Sequence, residues 1–220
     1  MTKCIFVTAT GTDIGKTYIS ALIVKELRKR GFNCGYYKPV LSGAIEVQGD
    51  LIPGDCKYVI DNSNLKIKPT DCLTYCFKEA VSPHLAAERQ GIVISKEKIL
   101  NDFEKIKQQY DYLLIEGAGG ITCPLNMNKN YLLSNLIKDM NVSILIVADG
   151  GLGTINSILL TYEYAKQQNI KVNGIILNNY KEHFMYEDNK KVVEELTGIK
   201  VIATVKQNST NIDITESVFE

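Results

Sequence analysis

Short runs that are mostly apolar at consecutive positions alternate with longer segments of helical period, and this alternation narrows what the chain can become more than any other feature. The runs cover residues 4–8, 34–37, 112–116, 143–148, 174–177 and 201–204. A half-exposed strand alternates apolar and polar residues, whereas a strand apolar at every position is buried on both faces, as in a parallel sheet covered by helices. Between the runs, residues 16–30 carry Ile19, Leu22, Ile23 and Leu27 at helical spacing and stop at Gly31, a residue suited to the left-handed position that ends a helix. Ser95 is expected to cap a helix bearing Ile99, Leu100, Phe103 and Ile106, and Thr154 one bearing Ile155, Ile158, Leu159, Tyr162 and Ala165. A last helix over residues 186–197 is expected to turn Val192, Val193 and Leu196 inward and to end at Gly198. Residues 41–69, with Gly43, Gly49, Pro53, Gly54 and Pro69, form the least regular stretch, and long loops in compact α/β domains are usually functional or disordered. No repeat, low-complexity tract or linker divides the sequence, so residues 1–220 are expected to form one α/β domain with helices on both faces of a mostly parallel sheet.

Composition removes several classes of function. Twenty-five Lys and Arg against 25 Asp and Glu give zero net charge, which leaves no global basic field for nucleic acid or an anionic membrane. No stretch approaches the roughly 18 uninterrupted apolar residues of a membrane helix, and the N-terminus has no signal-peptide core, so a cytoplasmic protein is expected. The six cysteines lack a CxxC pair or a nearby histidine, which favours reduced structural thiols over zinc or a disulfide framework. With only His84 and His183 present, a multi-histidine metal centre is excluded.

The strongest local signal is Thr8-Ala9-Thr10-Gly11-Thr12-Asp13-Ile14-Gly15-Lys16-Thr17, between the first strand and the first helix. Such a loop turns several backbone N–H groups toward one point, and the following helix adds its positive dipole end, so a polyphosphate is held with little side-chain help. Gly15 admits close backbone approach, Lys16 reaches the β- and γ-phosphates, and the Thr17 hydroxyl suits Mg²⁺. The pattern GxxxxGK[ST] is met except that Thr10 stands where its first glycine belongs. The context points to a P-loop NTPase-like fold and to nucleotide chemistry. Glu116, followed by Gly117-Ala118-Gly119-Gly120, ends an apolar strand at the edge where open α/β sheets bind ligands, and it supplies a carboxylate for the metal. Asp55, in the irregular stretch, is a weaker carboxylate candidate on spacing alone.

Set together, these pieces resemble the dethiobiotin synthetases, the biotin-pathway enzymes that close a ureido ring. The likeness is carried by Phe6-Val7-Thr8 and the loop through Lys16-Thr17, by Gly35-Tyr36-Tyr37-Lys38-Pro39-Val40 with Ser42-Gly43, and by Ser82-Pro83-His84. It continues through Glu116 to Gly120, Pro124-Leu125, Gly153-Thr154-Ile155-Asn156 and Asn178, in family order. The resemblance implies that 7,8-diaminopelargonate (7,8-diaminononanoate), CO2 and ATP give dethiobiotin, ADP and phosphate through a carbamate and a carbamic-phosphoric anhydride. It implies Lys16, Lys38 and Thr12 as catalytic groups, with Lys38 beside the carbamate and γ-phosphate. It implies nucleotide contacts from Asp13, Ile14, Gly15, Lys16, Thr17 and Tyr18, from Asp55, and from Glu116, Gly117, Ala118 and Gly119. Asn178 matches the adenine-binding asparagine, and Thr17, Asp55 and Glu116 match the Mg²⁺ ligands. Ser42 matches a substrate contact, and Gly153 and Asn156 match groups that hold the substrate carboxylate from the partner subunit of a homodimer.

Two departures are plain. Ala9 stands where the family usually has Gly, and Ala203-Thr204-Val205-Lys206-Gln207 lacks the Gly-x-Ile-Pro expected near the base. Other P-loop classes fit less well. A partition-type ATPase carries an additional lysine early in the loop, where Gly11 stands, and a guanine-specific switch wants NKxD where Asn178-Asn179-Tyr180-Lys181 is found. A related amidoligase needs a glutaminase domain for which this chain has no room. A binding module without catalysis has no use for Lys38, Asp55 and Glu116 together.

Overall fold

The first strand, β1 (Lys3–Ala9), leads through the phosphate loop into α1 (Lys16–Lys29), and a computed structural model describes the chain over residues 1–220. Strand β2 (Cys34–Ser42) is followed by a hairpin of β3 (Ile45–Val47) and β4 (Asp50–Ile52), then α2 (Gly54–Ser63) and β5 (Leu73–Phe77). Helices α3 (Pro83–Arg89) and α4 (Lys96–Lys107) precede β6 (Tyr112–Gly120). A second hairpin, β7 (Pro124–Asn126) with β8 (Tyr131–Leu132), runs into α5 (Leu133–Met140). The rest alternates β9 (Ser143–Asp149), α6 (Thr154–Gln167), β10 (Val172–Asn178), α7 (Phe184–Thr197) and β11 (Val201–Thr204).

Seven strands form one parallel sheet in the order β11-β10-β9-β1-β6-β2-β5. The consecutive apolar residues have the expected cause. Phe6, Leu113, Ile115, Ile144, Ile146, Ile175 and Leu177 enter a core on one face of the sheet with residues of α3 to α7. Their neighbours Ile5, Val7, Leu114, Leu145, Val147 and Ile176 enter a core on the other face, with α1, α2 and the C-terminal residues Ile212, Ile214, Val218 and Phe219. Because β2 and β9 flank the β1–β6 pair rather than following it in sequence, the strand order reverses at the centre, where such sheets open a crevice at their carboxyl ends.

Several expectations are corrected. Residues 41–69 are not irregular, since they hold the β3–β4 hairpin and α2, so Asp55 sits in the first turn of a helix rather than in a loop. Lys38 lies inside β2 rather than beyond its end, because the edge strand β5 extends the pairing past residue 37. Ser95 does cap α4, accepting from Lys98 N at 3.2 Å, but α6 is capped by Gly153 in the left-handed conformation, with Thr154 as its first helical residue. Leu196 points outward, 57% exposed, because the 3.6-residue period turns Val193 and Thr197 to the core instead. No helix is long and apolar enough to cross a membrane.

Candidate active site

The loop after β1 turns tightly because two residues take positive φ, Asp13 at 59° and Gly15 at 95°. At Gly15 no side chain fits, since a Cβ there would stand 2.3 Å from the Asn178 amide nitrogen. Lys16 follows as the first residue of α1, buried, with Nζ donating to the Gly11 carbonyl at 3.1 Å.

Strand pairing then brings the acidic and basic groups together. Tyr36 of β2 pairs with Leu114 of β6. Side chains two residues apart in a strand share a face, so Tyr36, Lys38, Leu114 and Glu116 all lie on the α1 side of the sheet. Glu116 is fully buried. Its Oε1 accepts from Lys38 Nζ at 2.7 Å and from Thr17 Oγ1 at 2.7 Å, and its Oε2 accepts from Tyr36 Oη at 2.9 Å. Lys38 Nζ also donates to the Gly117 carbonyl at 3.2 Å and pairs with Asp55 Oδ2 at 2.7 Å. Burial pushes the Lys38 pKa down, but the carboxylates of Glu116 and Asp55 outweigh it and leave the ammonium above its ordinary range. Lys16 goes the other way: burial first, then the nearby Lys38 ammonium, lower its pKa.

These groups line one cleft of about 1020 Å³. Of the residues expected to act, Thr12, Asp13, Gly15, Lys16, Thr17, Tyr18, Lys38, Ser42, Asp55, Glu116, Ala118 and Gly119 form its wall. Three stand behind it: Ile14 and Asn178, joined by a hydrogen bond from Asn178 Nδ2 to the Ile14 carbonyl at 2.9 Å, and Gly117, which presents its carbonyl to Lys38. Gly153 and Asn156 are exposed and outside the cleft, at the start of α6. The segment after β11 is tied to α1, with the Tyr18 hydroxyl donating to the Ser209 carbonyl and Lys25 Nζ to the Thr210 carbonyl at 2.8 Å.

Sequence reasoning gave no role to Tyr36, Tyr58 or Cys123, although the last two line the cleft. Cys123 is no nucleophile at neutral pH, because burial pushes its thiol up to about 11. Ser82 and Pro83, known only as part of a motif, also reach the cleft wall. The residues fit Mg²⁺ in kind. The donors are oxygens only, two carboxylates and a hydroxyl, and no group of three His, Cys, Asp or Glu gathers that could hold a metal unaided. Mg²⁺ commonly binds through one or two carboxylates, with phosphates and water completing its shell.

Lys38→Met removes the cation between two carboxylates, one of them fully buried, and should destabilise the fold by about 3–5 kcal/mol as read by denaturant unfolding. Because the folded pKa of Lys38 is raised, that difference should be fully present below the ordinary lysine value of 10.5 and shrink as pH rises beyond it. A difference that instead grows above that pH contradicts the ion-pair assignment.

A family model described as an AAA domain matches residues 3–213. An ATP-dependent dethiobiotin synthetase BioD of Clostridium botulinum strain 657 is 50% identical over 216 residues, covering 97% of this chain and 95% of the relative. That of strain Eklund 17B is 49% identical with the same coverage of both chains. Among solved structures, the MinC:MinD cell division complex of Aquifex aeolicus matches with a TM-score of 0.59 at 16% identity, over 94% of this chain and 82% of that one. A ParA family ATPase of Chlorobium tepidum matches with a TM-score of 0.58 at 15% identity, over 94% and 86%. The structural likenesses are of fold, that of P-loop nucleotide-binding proteins with a parallel sheet. Near-identity in length to relatives sharing half its residues assigns the chain to the dethiobiotin synthetase family of ATP-dependent ligases.

Proposed function

We propose that residues 1–220 act as a single synthetase domain that converts 7,8-diaminopelargonate (7,8-diaminononanoate), CO2 and ATP to dethiobiotin, ADP and phosphate in the cytoplasm. One amine adds to CO2 and loses a proton, giving a carbamate. A carbamate oxygen takes the γ-phosphoryl group as the bond to the ADP oxygen breaks. The second amine then attacks the carbamate carbon and gives up a proton, phosphate leaves with the C–O bonding electrons, and the ring closes. Family membership at 50% identity supports the overall reaction, and the observation that carries the chemistry is the convergence of Lys16, Lys38, Thr17, Asp55 and Glu116 on one cleft.

Phosphoryl transfer asks little covalent work of a protein and much positioning and charge neutralisation. Lys16 disfavours its own charge until an anion arrives, so a β- or γ-phosphate beside it relieves burial and repulsion together. Lys38 stays charged and faces the carbamate and transferring group, with Thr12 and Ser42 on the same wall to orient them. The amides of Asp13, Ile14 and Gly15 cradle phosphates, Tyr18 flanks the nucleotide, and Gly117 to Gly119 shape its approach. Asn178 leaves its Oδ1 buried and without a partner, an acceptor suited to the amino group of adenine. Thr17, Asp55 and Glu116 would hold Mg²⁺, which would supply charge neutralisation on the triphosphate.

The substrate carboxylate is bound across a homodimer. Gly153 and Asn156 lie outside the cleft of their own chain, at a helix start whose free N–H groups suit an anion. Beside them Leu152 is 93% exposed and Leu160, one turn beyond Asn156, is 65% exposed, an apolar surface suited to a second copy.

Mass spectrometry of a reaction with diaminopelargonate, bicarbonate and MgATP should show dethiobiotin, and ATP turnover without this product defeats the reading. Lys38→Ala should lower turnover by orders of magnitude, and unchanged turnover removes Lys38 from the mechanism. Asp55→Ala should raise the Mg²⁺ concentration needed for half-maximal rate, and an unaltered titration refutes its place at the metal. Sedimentation equilibrium should give twice the 24.6 kDa chain mass, a monomer at working concentration being incompatible with the shared site.

A further inference from the structure

We propose that Tyr36 is a positioning residue for Glu116: its hydroxyl pins one carboxylate oxygen and so aims the other at Thr17 and Lys38. Tyr36 is fully buried, does not line the cleft, and reaches it only through the 2.9 Å hydrogen bond to Glu116 Oε2. Glu116 Oε1 already takes two donors, one from α1 and one from β2. Oε2 has Tyr36 as its hydrogen-bond partner.

The arrangement has a physical reason. A carboxylate held at one oxygen keeps more freedom about its last bond than one held at both, and a buried carboxylate oxygen without a donor is costly. With Oε2 fixed from inside the protein, Oε1 is the oxygen presented to the ammonium of Lys38, the hydroxyl of Thr17 and anything bound between them. A carboxylate only accepts, so the Tyr36 hydroxyl is the donor of this bond. Groups that orient a metal-binding side chain from behind commonly change metal affinity or activity 10–100-fold when removed.

The inference rests on the proposed metal role of Glu116, and Tyr37 separates site effects from mere loss of a core hydroxyl. Tyr37 is also fully buried, but points to the opposite face, where its hydroxyl meets Thr74 Oγ1 at 2.6 Å and the Ile99 carbonyl at 3.2 Å. Binding of a β,γ-imido analogue of ATP is titrated with Mg²⁺ by calorimetry in wild type, Tyr36→Phe and Tyr37→Phe, with thermal unfolding of each. Tyr36→Phe should raise the half-saturating Mg²⁺ concentration about tenfold or more, while Tyr37→Phe loses stability and keeps the wild-type value. Equal Mg²⁺ titrations for Tyr36→Phe and wild type overturn the positioning role and leave the metal site standing. Wild-type binding indifferent to Mg²⁺ removes the metal site itself, and this inference with it. Should Tyr36→Phe not fold, wild type still decides: the Tyr36 hydroxyl proton should give a slowly exchanging NMR resonance that moves when Mg²⁺ and the analogue are added, and an absent or unmoved resonance overturns the proposal.

Discussion

Glu116 is a carboxylate without contact with water at the carboxyl edge of the sheet, and much of the surrounding structure makes its burial tolerable. An ion in that position is stable only when paired and hydrogen-bonded. The donors come from two separate elements, Thr17 from α1 and Tyr36 and Lys38 from β2, while Asp55 of α2 completes the coordination of Lys38. Two ammonium groups therefore face two carboxylates in one cleft. The site is balanced as it stands, and a triphosphate entering it brings an excess of negative charge that the lysines alone do not offset. In electrostatic terms that excess is the reason a divalent cation suits the same place.

The sheet is common to proteins with quite different roles, as the MinD and ParA likenesses at 15–16% identity make plain. What distinguishes this chain is a handful of side chains on that frame. At the loop, the Lys16 ammonium donates to the Gly11 carbonyl, and glycine stands where a second lysine marks the partition-type ATPases. At the neighbouring strand, Lys38 is carried on the backbone of a sheet rather than on a surface loop, so its ammonium is fixed before any substrate arrives and little ordering remains to be done.

Much of this was legible in the sequence, for reasons that can be named. The six apolar runs all became strands, because burial on both faces leaves a strong mark at every position. Strand β5 was missed: Leu73-Thr74-Tyr75-Cys76-Phe77 lies at the sheet edge, where burial is incomplete and polar residues interrupt the run. Helix α5 was missed because it spans only Leu133–Met140, about two turns, too short for its period to stand out. At the site, Lys16, Thr17 and Glu116 declared themselves through local motifs. Lys38 was named by resemblance, since the apolar run stops at residue 37, and Asp55 was only a weak carboxylate candidate in the irregular stretch until the resemblance matched it to a metal ligand. Tyr36 stood inside a family motif, but nothing in the sequence gave it a role. Its value depends on the register between β2 and β6, and register between distant strands is written in tertiary packing rather than in either segment.

One contact ties the carboxyl end of β10 to the phosphate loop. The Asn178 amide, ending β10, holds the Ile14 carbonyl and packs against the one loop residue that has no room for a side chain. The end of β10 and the loop turn are thereby a single mechanical unit, so a shift of β10 is transmitted to the loop amides. On the adenine-binding role proposed for Asn178, discrimination among nucleotides and the geometry of transfer depend on the same side chain, and neither changes alone.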